Sequence, residues 1–266
     1  MVEHPPRDPL EGVTLDGMIT TGARRSNIRV EFTPVLERAA AHLKAIEGTH
    51  SLYVYGSVAT GTARPGSSDV DLVTIGLETA AARELGHKLT AEFSDLCRGV
   101  EVGPAQPSDY LGSGDEAYGN RVFLRHYCVH LAGPDIGQGL PDFAADAAAA
   151  RGFNGDIGLC ADRWRTQVLA APDLAALERR IARKTLLAVA GLVSIHDSTW
   201  TTDRFASGQR WGVIKPHLAA PLGTLMDWAG GAQIKPSQTE IQAALDGVVA
   251  ELVDEFRSRI GLWTAH

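Results

Sequence analysis

In the first half of the chain the apolar positions come in short runs, and beyond about residue 140 they recur at helical spacing. Leu52-Tyr53-Val54-Tyr55 and Leu72-Val73-Thr74-Ile75 are compact apolar runs bounded by turn residues, which predicts two buried strands. Between them the chain starts as a helical turn at Ala59-Thr60 and finishes as a Pro65-Gly66 loop. Upstream, Val35, Leu36, Ala39, Leu43 and Ile46 share a helical stripe. Thr33-Pro34 opens it as a hydroxyl cap and first-turn proline, and Gly48 ends it. Leu85, Leu89, Phe93 and Leu96 predict a helix over 79–96, and Val100-Glu101-Val102 a short strand after Gly99. Residues 104–119 are dense in turn formers and are expected to be a functional loop. A segment over 121–131 then ends at Gly133-Pro134.

The first 30 residues lack periodicity and read as an extended arm. In the second half the alanine run 144–150 is simplest as helix, and Leu174, Leu177, Ile181 and Ala188 mark a helix beginning near Pro172-Asp173. Ser237-Gln238-Thr239-Glu240 is a capping box opening a last helix, whose apolar face is Leu245, Val248, Val249, Leu252, Phe256 and Ile260. The expected plan is an α/β domain over 1–140, a mixed sheet with flanking helices, followed by an all-α domain over 141–266.

Composition narrows the function classes. The 266 residues are 44% hydrophobic and 21% charged, ordinary for a globular protein. A formal charge of −7 argues against a sequence-independent grip on nucleic acid and tolerates a cationic small molecule. Residues 1–140 hold 12 Lys/Arg against 18 Asp/Glu, so the acidity lies with the α/β half. Cys97, Cys128 and Cys160 are scattered and odd in number, which favours reduced thiols. The opening Met1-Val2-Glu3-His4-Pro5-Pro6-Arg7 shows no secretory pattern, and the apolar stretch 186–195 is about half the length of a membrane span. A cytoplasmic monomer with no membrane partner is expected.

The chemistry concentrates at Asp69-Val70-Asp71. Two carboxylates one residue apart at a strand's start face the same side. Such proximity is costly without a cation between them, and oxygen donors suit Mg²⁺. This points to metal-dependent phosphoryl or nucleotidyl transfer.

Gly56-Ser57, eleven residues, then Asp69-Val70-Asp71 preceded by Ser68, resembles the signature of the DNA polymerase β-like nucleotidyltransferase superfamily. Val100-Glu101-Val102 and the stretch 129–134, Val-His-Leu-Ala-Gly-Pro, resemble more closely its aminoglycoside adenylyltransferases of the streptomycin/spectinomycin type. The resemblance implies that residues 1–140 are catalytic and that the helical domain closes on substrate and nucleotide. It implies ATP as donor, Mg²⁺ held by Asp69, Asp71 and Glu101, and Glu101 accepting the acceptor's hydroxyl proton. Gly56 and Ser57 are placed at the nucleotide phosphates, and Ser68 is either a further nucleotide contact or a turn residue.

Other features are open. Arg64 is either a polyphosphate contact or a solvated loop residue. The family's nucleotide-binding lysine has two candidates, Lys184 and Lys215, the first of them on a basic face with Arg179, Arg180 and Arg183. Trp200-Thr201-Thr202-Asp203-Arg204 resembles the family's helix-linking turn loosely. Tyr110, Asp115, Glu116 and Tyr118, with Asp156, Asp162, Asp197 and Asp203, are candidates for holding a cationic acceptor. His126, Cys128 and His130 alternate as zinc ligands on one strand face would, but lack a fourth ligand. The expected activity is transfer of AMP to a hydroxyl of a small polar acceptor, an aminoglycoside among the possibilities. Transfer to a protein or tRNA, and a lapsed nucleotide-binding module, are the alternatives.

Overall fold

The computed structural model describes residues 8–170, 173–231 and 236–264. They form two compact units: one of residues 8–11 and Ile19–Phe143, the other of Gly12–Met18 and residues 144–264. Residues 1–7 and Pro172, both read above from sequence, lie outside the described residues.

The first unit is built on a four-stranded sheet of β1 (Ser51–Tyr55), β2 (Val70–Ile75), β3 (Val100–Ala105) and β4 (Val129–Ala132), in the order β3-β2-β1-β4. β1 runs antiparallel to β2 and β4, whereas β2 and β3 are parallel. The parallel pair requires a crossover, supplied by the helix α3 (Thr79–Glu92). One face of the sheet buries Leu52, Val54, Val70, Leu72 and Val100 against α1 (Thr33–Lys44) and α3. The other face carries Tyr53, Val73 and Ile75, which pack with Tyr110 and Leu124. Both faces are therefore covered, which explains runs of apolar residues in place of alternation.

Several sequence expectations need correction here. Thr33 does not cap α1: Phe32 holds the cap position and Thr33 is already helical, with Pro34 in the first turn. The lead-in is not loose from residue 19 onward. Ile19 and Thr21 are buried, the Thr21 hydroxyl donates to the His126 carbonyl, and the Arg24 amide donates to the Ala59 carbonyl at 3.1 Å. Long-range polar contacts of this kind fix a segment without any periodicity. The expected loop 104–119 is largely ordered. Strand β3 continues to Ala105, a turn of helix α4 covers Ser108–Leu111, and α5 spans Asp115–Tyr127. Asp115 and Glu116 sit in the first turn of α5, where the helix dipole favours acidic side chains and outweighs the cost of Gly119.

The second unit is helical. Its centre is α8 (Leu174–Asp197), on which α6 (Ala147–Asn154), α7 (Ile157–Gln167), α9 (Arg204–Ile214), α10 (Ala219–Gly230) and α12 (Ala250–Arg259) all pack. Asp146, Asp173 and Asp203 cap α6, α8 and α9 by accepting backbone N–H bonds, and the Ser237–Glu240 capping box opens α11 (Gln238–Ala244). Between α11 and α12 a π-helical segment, Leu245–Val249, keeps Leu245, Val248, Val249, Leu252, Phe256 and Ile260 buried along one line. Among the described residues no helix is long and apolar enough to cross a membrane.

Candidate active site

The sheet's topology sets Asp71 beside Glu101. β1 leaves the sheet at the end where β2 enters, because the two are antiparallel, and β3 enters at that same end because it is parallel to β2. Tyr55 pairs with Asp71, and Asp71 pairs with Glu101. Neighbouring strands lie about 4.8 Å apart, so the three residues form one row across the sheet. Strand parity puts that row on the face of Tyr53, Val73 and Ile75. Asp69, two residues before Asp71, lies immediately ahead of the strand.

Asp71 is half-buried and abuts Gly56. A Cβ added at Gly56 would lie 2.5 Å from Asp71 Oδ2, and Gly56 has φ +68°, so glycine is required there twice over. Gly56 and Ser57 open the short helix α2 (Gly56–Thr60) directly after β1. The carbonyl of Ser57 accepts the amides of Thr62 and Ala63 at 2.9 and 3.0 Å, folding the loop back on the helix. Ser68 closes the next turn: its hydroxyl accepts the Arg64 amide at 2.9 Å. Arg64 is exposed, and so is Glu101.

Arg98, which sequence reasoning missed, lies among these acids. The Arg98 amide donates to the Ser68 carbonyl at 3.1 Å and the Val70 amide donates to the Gly99 carbonyl at 2.9 Å, which zips residues 98–99 alongside 68–70. The guanidinium consequently meets Asp69 two-pronged: Nε donates to Oδ1 at 2.9 Å and Nη2 donates to Oδ2. Hydrogen bonding to Asp69 holds Arg98 above its ordinary pKa, and the charges of Glu101 and Asp71 add to the effect. Tyr55, also missed, is held protonated by burial, with Asp71, Cys128 and Glu101 contributing. Its ring meets Phe123 edge-on at 5.1 Å, and Phe123 stacks on Tyr127 at 6.0 Å. Strand pairing exposes the role of Tyr55 once the β1–β2 register is known, whereas nothing in the sequence marks Arg98, whose partner is 29 positions away.

Among the described residues, no three His, Cys, Asp or Glu side chains stand close enough to hold a metal ion as they are placed. The donor chemistry nonetheless suits a divalent ion: the row is oxygen-only, and it has drawn a guanidinium to Asp69. Mg²⁺ ordinarily takes one or two protein carboxylates and completes its shell with water and phosphate.

His126, Cys128 and His130 do not share one strand face. His126 lies in α5, Cys128 between elements and His130 in β4. His126 Nε2 accepts the Phe143 amide at 2.9 Å, and burial lowers the imidazole pKa.

Of the candidate acceptor groups, Tyr110 is only 6% exposed and packs in the core with Tyr53 and Leu124. Tyr118 meets Phe143 edge-on, with the Arg121 guanidinium over its ring. In the helical unit Asp162 pairs with Arg165, Asp197 with Arg210 and His196, and Asp203 caps α9. Lys184 pairs with Asp156 at 2.6 Å and donates to the Phe153 carbonyl at 3.2 Å; Lys215 meets Glu255 at 3.4 Å. Trp200 is buried, in edge contact with Phe153, while Arg179, Arg180 and Arg183 face solvent.

Residues 36–102, about a quarter of the chain, match the family model of the nucleotidyltransferase domain. That stretch runs from α1 to β3 and contains Gly56, Ser57, Ser68, Asp69, Asp71 and Glu101. No curated protein sequence matches the chain. Among solved structures it is similar to the spectinomycin adenyltransferase AAD(9) of Enterococcus faecialis, crystallised with ATP and spectinomycin. The TM-score is 0.51 at 11% identity, covering 85% of this chain and 99% of that one. That likeness is one of fold.

Proposed function

We propose that the protein, whose residues 36–102 match the family model of the nucleotidyltransferase domain, moves AMP from ATP to a hydroxyl of a small polar acceptor. An aminoglycoside is the acceptor class we favour, with Mg²⁺ held by Asp69, Asp71 and Glu101. The observation that carries this reading is the row Tyr55–Asp71–Glu101 with Asp69 beside it, at one end of one sheet face. The similarity in fold to an enzyme crystallised with ATP and spectinomycin supports the donor and acceptor classes. A net charge of −7 favours a cationic acceptor.

The division of labour follows from position. Gly56, which has no side chain, lets backbone and phosphate approach beside Asp71, and Ser57 offers a hydroxyl and an N–H at the helix start. A bound divalent ion would neutralise charge building on the phosphoryl oxygens and align donor with acceptor. Glu101, exposed at the edge of the row, accepts the proton of the attacking hydroxyl. Tyr55, kept protonated, remains a hydrogen-bond donor next to the two acids. Lys184 stays in the proposal as a triphosphate contact, and the Asp156 pair is what it would exchange for phosphate.

The test is incubation of the full chain with labelled ATP, Mg²⁺ and a panel of aminoglycosides, followed by separation of labelled acceptor and pyrophosphate. Asp69→Asn and Asp71→Asn should each lose at least about a hundredfold in turnover, with unchanged circular dichroism and melting. Transfer that survives in a folded double variant refutes the assignment.

A further inference from the structure

We propose that Arg98 and a divalent ion are alternative occupants of Asp69, and that the displaced guanidinium then meets the polyphosphate of the donor. The proposal rests on the metal-dependent reading above and deepens it. Both Asp69 oxygens are taken in the structure, one by Arg98 Nε at 2.9 Å and the other by Nη2. A metal ion bound by Asp69 would share these oxygens with the guanidinium at close range, where the two positive charges repel, so the two compete for the carboxylate.

The two side chains are also unequal in a way that suits exchange. Asp69 is 23% exposed and anchored at the mouth of β2, whereas the Arg98 side chain is 70% exposed and can swing away without disturbing the core. An ion pair whose arginine is this exposed contributes little stability, so it yields readily to a competing ligand of Asp69. Arg98 also follows Cys97, which is buried, so its backbone is fixed while its head moves. A planar fork that grips a carboxylate with two parallel bonds grips a phosphate in the same manner. The consequence is ordered loading: a divalent ion alone binds weakly because it competes with Arg98, and a metal–nucleotide complex binds well because it gives Arg98 a new anion.

The experiment titrates Mn²⁺ into the nucleotide-free full chain by electron paramagnetic resonance, comparing wild type with Arg98→Ala, Arg98→Lys and Asp69→Asn. Arg98→Ala should bind Mn²⁺ about five- to tenfold tighter. Arg98→Lys should also bind tighter than wild type, since it keeps the charge but loses the fork. If only the removal of a positive charge mattered, the lysine variant would match wild type, and that result overturns the exchange. Unchanged or weaker Mn²⁺ binding by Arg98→Ala overturns it as well, provided Asp69→Asn abolishes binding and so shows the metal site intact. Mn²⁺ binding indifferent to Asp69→Asn overturns the metal site itself. With Mn²⁺ saturating, a fluorescent ATP analogue should bind Arg98→Ala about fivefold more weakly than wild type; equal affinity overturns the donor contact.

Discussion

Replacing Gly56 by alanine isolates the contact between the turn after β1 and the carboxylate of Asp71. Two penalties combine. At φ +68° an L-residue costs about 1–2 kcal/mol relative to a relaxed backbone. In addition, the new methyl would stand 2.5 Å from Asp71 Oδ2, far inside van der Waals contact. Relief requires the carboxylate to rotate away or the strand end to shift, an overpacking cost of about 1–3 kcal/mol. The stiffer unfolded chain returns about 0.4–1 kcal/mol. The net expectation is a loss of about 1–5 kcal/mol, centred near 3. Gly66 provides the control, because it has φ +76° with nothing within 4 Å of the added Cβ. Gly66→Ala should therefore cost the backbone penalty alone. Urea unfolding followed by circular dichroism gives both values from the midpoints at constant slope. Asp71→Gly supplies the second test: in that background Gly56→Ala should cost no more than Gly66→Ala, and the double-mutant coupling should equal the clash. If Gly56→Ala proves no more damaging than Gly66→Ala, Asp71 does not occupy the space assigned to it, and the geometry of the acidic row is wrong.

Three further outcomes are expected. Glu101→Gln should lower kcat by about 10²–10⁴ with little change in KM, read by pyrophosphate release, because an amide cannot take the hydroxyl proton. Burial depresses the His126 pKa while Nε2 accepts the Phe143 amide, so neutral His126 stabilises the fold above its unfolded pKa of about 6.5. That contribution is lost as pH falls through the lower folded value, so the urea midpoint should drop between neutral and mildly acid pH and this slope should flatten in His126→Leu. Ser237→Ala removes the hydroxyl that accepts the Glu240 amide and should destabilise the helical unit by about 1 kcal/mol in thermal melts monitored by circular dichroism.

From its sequence alone this chain declared the first helix, the first three strands and the crossover helix of its sheet-bearing unit, and, in the helical unit, the helices at 147–154, 174–197 and from 238 onward. Short apolar runs, capping residues and helical stripes are local signals: Ser51–Tyr55 and Val70–Ile75 carried the first, Ser237 with Glu240 the second, and Val35, Leu36, Ala39 and Leu43 of α1 the third, even though Thr33 does not cap that helix. The Asp69-Val70-Asp71 motif itself is legible in the sequence, although Asp69 precedes the strand that carries Asp71. What tertiary structure decided is everything that depends on register or on partners distant in sequence. The Asp71–Glu101 pairing depends on a parallel ladder whose strands are separated by α3. The order in residues 19–28 comes from polar contacts with helix α2, with α5 and with β4, which no local pattern announces. The turn-rich 104–119 stretch became partly helical because acidic residues suit a helix start and Ala117, Gly119 and Val122 found burial there. Arg98 is the sharpest case. An exposed arginine in a loop reads as solvated until the backbone zipper with residues 68–70 brings it to Asp69, where electrostatics over a few ångströms decides its role.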